Sequence, residues 1–252
     1  MPVLGHSNVN SGASYVADAR FYIPPITARP SFVLNPGIDG KKGTGLRNLA
    51  GGPPPSLVGE ADALTMFDGH LEIDGGLGYL TSTQFSTTAA TTVAIARIAG
   101  LDPQGDGPII FGTSGAGAGH SVYFPSAGAA RLIGYWSGGA SQYSNNRDAT
   151  AWAVLVFRLS ADGQGRVRDF TGDGLGGGLD EGLTPSRVVA GGETRVLSPT
   201  QPMAIGSNIG SSFKGKLGLA WLEHYESYLS DDDVAALGAQ AKLIGAIKGI
   251  SA

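Results

Sequence analysis

The C-terminal segment 202–248 limits the possible folds more than any other part of the chain. Within it, residues 213–222 are apolar at both odd and even positions, as in a strand that is covered on both faces. Ser230 then precedes three carboxylates, Asp231–Asp233, so a hydroxyl cap is followed by acids at the positive end of a helix dipole. Apolar residues recur at helical spacing after this cap, at Val234, Leu237, Ala241 and Ile244. The pattern predicts a central strand that leads into a capped helix.

Short apolar segments separated by turns make up most of the remaining chain. Glycine accounts for 41 of the 252 residues and clusters between these segments, as expected for many tight turns. Strands are predicted at 63–67, 70–74, 91–98, 108–113, 119–124, 130–136, 151–159, 165–170, 194–197, 202–206 and 213–225. Segment 151–159 is also apolar at both parities and should lie in the middle of a sheet. Many short strands with one terminal helix predict an all-β sandwich.

Four motifs in order resemble the concanavalin A-like, laminin G-like sandwich family. They are FDGHLEIDGGLGYLT at 67–81, TTVAIARIAG at 91–100, AWAVLVFRLSADGQGRVRDFTGDG at 151–174, and the C-terminal strand that ends in YLSDDD. One departure is that Ala96 and Arg97 stand where the family usually has an aromatic residue. The resemblance covers residues 60–245. It implies a concanavalin A-like jelly-roll β-sandwich with an extended N-terminal arm and one short C-terminal α-helix.

Three regions are expected along the chain. Residues 1–34 are small and polar, contain several prolines, and are predicted to form an extended N-terminal arm for assembly. Residues 35–229 are predicted to form the laminin G-like sandwich, and residues 230–252 a C-terminal helix packed on it.

Composition excludes several classes of function. The chain has no cysteine, which excludes disulfides, thiolate metal sites and a cysteine nucleophile. Its net charge is −4 and it has no basic cluster beyond Lys41–Lys42, so nucleic acid is not an expected partner. No apolar stretch approaches the length of a membrane span, so membrane insertion is not expected. The first 20 residues lack the basic and apolar regions of a secretory signal, which predicts synthesis in a host cytoplasm.

An incomplete acidic motif is the main candidate for catalysis. Concanavalin A-like glucanases place three acids as E-x-D-x-E on one face of a strand, where two can flank a glycosidic bond. Glu72 and Asp74 match the first two positions, but Gly76 stands at the third. The histidines are scattered, at His6, His70, His120 and His224, without the spacing of metal ligands. No catalytic residue is therefore predicted, and the chain is expected not to be an enzyme.

Calcium is the one cofactor that the loops could hold. Carboxylates in glycine-rich loops suit calcium, and many members of the resembled family bind it at the sandwich rim. The candidate ligands are Asp102, Asp106, Asp173 and Asp180. They lack a D-x-D-x-D spacing, so the alternative interpretation is that they are ordinary turn residues.

Carbohydrate binding has its best candidate at segment 131–148, RLIGYWSGGASQYSNNRD. Sugars are bound by aromatic faces together with planar polar side chains, and this segment combines both. The candidates are Tyr135, Trp136, Gln142, Tyr143, Asn145, Asn146 and Arg147. Because Tyr135 and Trp136 are adjacent in a predicted strand, they should point to opposite faces, so one of them could belong to the core. Trp152 and Trp221 lie on strands that are apolar at both parities and are expected in the core.

These observations lead to a primary hypothesis and two alternatives. The first is a non-catalytic virion protein of a phage or phage-like particle, such as a tail fibre, head spike or decoration. In this hypothesis the N-terminal arm contacts other virion subunits and the protein is a homo-oligomer. The resemblance to laminin G-like proteins further implies that the sandwich binds a host cell-surface glycan. The alternatives are a glycan-degrading enzyme of the same fold and a free carbohydrate-binding or adhesion module.

Overall fold

A computed structural model describes residues 24–36, 46–102, 104, 107–113, 117–171, 179–180, 185–207 and 213–251. The strands, in chain order, are β1 (Phe32–Leu34), β2 (Ser56–Gly59), β3 (Leu64–Met66), β4 (Leu71–Asp74), β5 (Gly78–Thr81), β6 (Ala90–Gly100), β7 (Ile109–Gly112), β8 (His120–Ser126), β9 (Ala129–Trp136), β10 (Gly139–Asn146), β11 (Ala153–Leu159), β12 (Gly165–Asp169), β13 (Leu179–Asp180), β14 (Ala204–Gly206) and β15 (Lys216–Tyr225). A short 3-10 helix, Ala61–Ala63, precedes β3, and an α-helix, α1 (Asp231–Ile247), follows β15.

The strands form two antiparallel sheets. Sheet A has the order β13-β12-β11-β6-β15-β4-β3, and β1 pairs with the C-terminal half of β15. Sheet B has the order β10-β9-β8-β7-β14-β5-β2. This architecture confirms the predicted all-β sandwich with one C-terminal helix.

The predicted arm boundary at residue 34 is wrong, because Phe32–Leu34 pair with Leu222–His224 inside sheet A. Residues 1–23 lie outside the described residues.

The two central strands of sheet A explain the double apolar pattern. In β15, Leu217, Leu219 and Leu222 face sheet B, whereas Ala220 and Trp221 face the opposite side. The register with β6 shifts between Leu219 and Trp221, and this bulge reverses the alternation. Both faces of β15 are therefore covered, as the sequence predicted. None of the described helical residues forms a segment with the length and hydrophobicity of a membrane span.

Sheet B covers the inner face of sheet A, and helix α1 covers its outer face. Ser230 is its N-cap and accepts a hydrogen bond from the Asp233 amide at 3.1 Å, which confirms the predicted start. The buried face of the helix packs on the outer face of sheet A, through Val234, Leu237, Ala241 and Ile244 against Val93, Ile95, Val154, Val156 and Trp221.

Several predicted strands differ from those observed. Residues 194–197 make a single bridge, Arg195 to Trp136, in place of a strand. The sequence pattern missed β1, β2, β5, β10 and β13, which are short or polar. Trp221 is buried in the core as expected. Trp152, in contrast, is only half-buried at the rim of the outer face of sheet A, where the guanidinium of Arg97 lies 5.0 Å from its ring.

Candidate functional site

The segment predicted to bind carbohydrate is a β-hairpin. Strands β9 and β10 pair along their whole length, from Gly139 opposite Trp136 to Asn146 opposite Ala129. Ser137 and Gly138 form the turn, so most of the predicted binding residues lie on a strand whose side chains alternate between two faces. This alternation divides the seven candidates.

Three candidates point into the sandwich. Trp136 is 2% exposed, its Nε1 donates to the carbonyl of Ala161 at 3.1 Å, and the Arg195 guanidinium covers its ring at 4.7 Å. Tyr143 is also 2% exposed, and its hydroxyl donates to the carbonyl of Gly163. Asn145 is buried on the same face. The two rings serve the core, so their prediction as sugar-stacking residues is wrong.

Two candidates lie at the far end of β10. Arg147 forms an ion pair with Asp169 of β12 and donates to the Thr171 hydroxyl at 3.2 Å, so it links the two sheets. Asn146 is exposed and ends the strand. Neither lies beside an aromatic ring that could stack on a sugar in the part of the chain that the structure describes.

The remaining candidates, Tyr135 and Gln142, share the outer face of sheet B with residues that the sequence analysis missed. We call this surface the sheet-B platform. It consists of Tyr123 on β8, Arg131, Ile133 and Tyr135 on β9, and Gln142 and Ser144 on β10. Arg131 stands between Tyr123 and Ser144, and Ile133 stands beside Gln142. Tyr123 and Ile133 are buried and form the floor, while the other four are half-buried.

The polar groups of the platform keep much of their hydrogen-bonding capacity. Within the described residues, neither the Tyr135 hydroxyl nor the Gln142 side-chain amide has a hydrogen-bond partner. Arg131 donates from Nε to the Ser144 hydroxyl at 2.9 Å, and its guanidinium lies 5.9 Å from the centre of the Tyr123 ring. Partial burial, together with the nearby Tyr123, raises the pKa of Tyr135, so its hydroxyl stays protonated and can donate at neutral pH.

Two apolar residues extend the platform beyond Tyr123, one of them on β7. The ring of Phe213 meets Tyr123 edge-on at 5.0 Å, and Ile109 packs beside Tyr123. Alternation along β8 separates Tyr123 from His120, Val122 and Phe124, and this is the only signal for Tyr123 that the sequence offers. The pattern does not show which of the two sets faces outward.

The incomplete acidic motif lies on the other sheet. Glu72 and Asp74 are the outward residues of β4, as period-two alternation requires. Glu72 accepts from Arg97 at 3.1 Å, across Gly218, which has no side chain to separate them. Asp74 lies 3.6 Å from the ammonium of Lys216. Each carboxylate therefore has its own cation.

Two of the scattered histidines meet inside the sandwich. His120 of sheet B and His224 of sheet A stack with ring centroids 5.8 Å apart, and both are buried. Burial lowers the pKa of His224 to about 3 and lowers that of His120 well below its usual value, with His224 and Arg195 adding to the second shift. Both rings are therefore neutral at physiological pH.

The calcium prediction remains untested. Asp106 and Asp173 lie outside the described residues, and only the backbone of Asp180 is described. Asp102 accepts from the Gln104 amide at 3.0 Å, as a turn residue does. Among the described residues, no three His, Asp or Glu side chains come together as metal ligands.

Comparisons with known proteins identify the fold. No protein-family model matches the chain, and no curated protein matches its sequence. Among solved structures, the binding domain of botulinum neurotoxin serotype D matches with a TM-score of 0.56 at 10% identity, over 85% of this chain and 51% of that chain. A sialidase of Trypanosoma rangeli matches with a TM-score of 0.56 at 14% identity, over 92% of this chain and 37% of that chain. A botulinum neurotoxin type C structure gives 0.54 at 10% identity, over 87% and 51%.

The chain thus spans about half the length of the toxin chains and little more than a third of the sialidase chain. At these identities the likeness shows a shared β-sandwich fold and nothing finer.

Proposed function

We propose that the protein is a non-catalytic glycan-binding module and that the sheet-B platform is its binding surface. The observation that carries this proposal is the pair of uncommitted polar groups, the Tyr135 hydroxyl and the Gln142 amide, on the same face of the β9–β10 hairpin as the Tyr135 ring. A sugar needs an aromatic ring for its apolar face and planar hydrogen-bonding groups for its hydroxyls, and the platform offers both.

The fold comparisons support the same class of ligand. One matching structure is a sialidase in complex with sialic acid, and another concerns a toxin whose cell entry depends on two ganglioside molecules. Sialic acid and ganglioside are ligands of those proteins. The two matches indicate that sandwiches of this fold occur in proteins that bind glycans.

The non-catalytic part of the proposal rests on the acids of β4. Glu72 and Asp74 each lie beside a cation, and Gly76 stands where the glucanase motif has its third acid, so β4 does not carry the complete set of acids. Release of reducing sugar from a glycan that binds the platform would contradict this part. The virion location, the arm contacts with other subunits and the homo-oligomer stay predictions.

The test is a comparison of glycan binding between matched variants. Lactose and 3′-sialyllactose serve as probes in saturation-transfer NMR and calorimetry. Gln142→Ala removes a hydrogen-bonding amide, and Tyr135→Ala removes a stacking ring. Each variant should weaken binding about tenfold, equivalent to about 1.4 kcal/mol. Gln164→Ala is the matched control, because Gln164 is exposed in the β11–β12 turn, away from the platform. Equal affinity of all four proteins would exclude the platform as the site.

A further inference from the structure

We propose that the platform selects anionic glycans and that Arg131 binds a carboxylate carried by the sugar. This inference rests on the proposed function and adds the chemical class of the ligand. Arg131 was not among the residues that the sequence analysis selected.

The first observation is the charge of the strands that form the platform. Residues 107–147, which include β7 to β10, contain two arginines and no aspartate or glutamate, although the whole chain has a net charge of −4. The four strands that form this face therefore contribute no carboxylate that would repel an anion. Acidic side chains are concentrated elsewhere in the chain.

The second observation separates the two arginines. Arg147 is neutralised by its ion pair with Asp169, and its side chain is only 8% exposed. Arg131 has no ion pair within the described residues, and it is half-buried in the middle of the platform. Of the two arginines, it is therefore the one that a ligand can reach and that no carboxylate already occupies.

The third observation is how Arg131 is held. Its Nε donates to the Ser144 hydroxyl at 2.9 Å, and the Tyr123 ring lies beneath the guanidinium at 5.9 Å. These contacts orient the group while both terminal nitrogens keep their donors within the described part of the chain. Two parallel N–H donors match the two oxygens of a carboxylate, and such charge-assisted bonds are about twice as strong as neutral ones.

The position of Arg131 suits a sugar that also contacts the neutral part of the platform. Ile133 follows Arg131 on the same face of β9, and its partner on β10 is Gln142. Side chains two residues apart along a strand are about 7 Å apart, which is about the width of one sugar ring. A saccharide can therefore meet Gln142 with its hydroxyls and Arg131 with its acid.

The test compares a sugar that carries a carboxylate with the same sugar without one. The wild type should bind 3′-sialyllactose at least tenfold more tightly than lactose. Arg131→Gln should remove this preference, so that the variant binds 3′-sialyllactose no more tightly than it binds lactose. Arg131→Lys keeps the charge but lacks the paired donors, so it should recover only part of the preference.

A matched control removes one positive charge from the opposite sheet. Arg97→Gln has the same net charge as Arg131→Gln, and it should keep the full preference for sialyllactose. Equal loss in both variants would show that only the net charge matters and would overturn the proposal. Complete recovery by Arg131→Lys would exclude the paired contact.

The remaining outcomes distinguish the two proposals. If lactose and sialyllactose bind equally and Gln142→Ala weakens both, the glycan site stands and the anionic preference is wrong. If neither sugar binds, both proposals fail. A sulfated lactose tests the other common source of negative charge, and tighter binding of this sugar than of sialyllactose would overturn the assignment of a carboxylate.

Discussion

The two outer faces of the sandwich use their polar groups in opposite ways. On sheet A, helix α1 covers the central strands, and each outward acid of β4 is paired with a cation. On sheet B, no described helix covers the platform, and the Tyr135, Gln142 and Arg131 side chains keep free hydrogen-bonding groups within the described residues. The closed face uses its polar groups in contacts within its own chain, whereas the polar groups of the open face are available for the ligand that we propose.

The cover on sheet A is held by a basic side chain at each end. At the N-terminal end, Arg158 of β11 is 2% exposed and forms an ion pair with Asp231 at 2.6 Å. At the C-terminal end, the Lys248 ammonium donates to the carbonyls of Pro36, Gly69 and Ala220 at 2.6, 3.1 and 2.6 Å. These contacts fix the helix on the sheet at both ends. The platform has no comparable constraint among its described residues.

The largest expected effect is the pH dependence of stability that is caused by the histidine pair between the two sheets. His120 comes from sheet B and His224 from sheet A, so the buried pair joins the sheets. Their pKa values are lowered in the folded protein, so the unfolded chain binds more protons below its own pKa of about 6.5. Stability is therefore fully present above about pH 6.5 and falls as the pH decreases toward 3, by about 1.4 kcal/mol for each unit of pKa difference.

Urea denaturation between pH 7.5 and 4.5 would measure this slope. His120→Phe keeps a ring in the core but cannot bind a proton, so its stability should depend less on pH. Carboxylates such as Asp231, whose pKa is lowered by Arg158, lose their contribution at lower pH and do not obscure this window. An unchanged slope in the variant would show that the pair does not control the acid response.

The next effect tests the closed face. Leu237 of α1 is 1% exposed and packs into the cluster on the outer face of sheet A. Leu237→Ala should lower the free energy of unfolding by about 2–5 kcal/mol, because it removes buried methyl groups and leaves a cavity. Equilibrium denaturation would check this value. Glycan affinity per folded molecule should not change, and a parallel loss of affinity would contradict the separation of the two faces.

The smallest effect is expected on the open face. Gln142→Ala should change the free energy of unfolding by less than about 0.5 kcal/mol, because the amide makes no side-chain hydrogen bond within the described residues. The melting temperature should move by less than about 2 °C. A larger shift would indicate that the platform also stabilises the fold and would weaken the contrast with sheet A.

Much of the architecture could be predicted from local patterns. The cap at Ser230 and the two strands that are apolar at both parities depend on residues close together in the chain, and all three were confirmed. The residues of the proposed binding surface were harder to predict, because the pairing of Arg131 with Tyr123 and Ser144 depends on the register between three strands. The missed strand β10 is the clearest example. Its polar sequence, GASQYSNN, lacks the apolar alternation that indicates a strand, and its partner β9 determines its conformation.

By itself, the sequence determined that the chain is an all-β sandwich closed by a capped helix, since hydrophobic period and capping are local properties. Only the tertiary structure decided which aromatic residues serve the core and which face solvent. Alternation requires that Tyr135 and Trp136 point to opposite faces, but it does not specify which face meets the other sheet. Packing of sheet B on sheet A buried Trp136 and Tyr143, and it left Tyr135, Gln142 and Arg131 on the outer face that forms the platform.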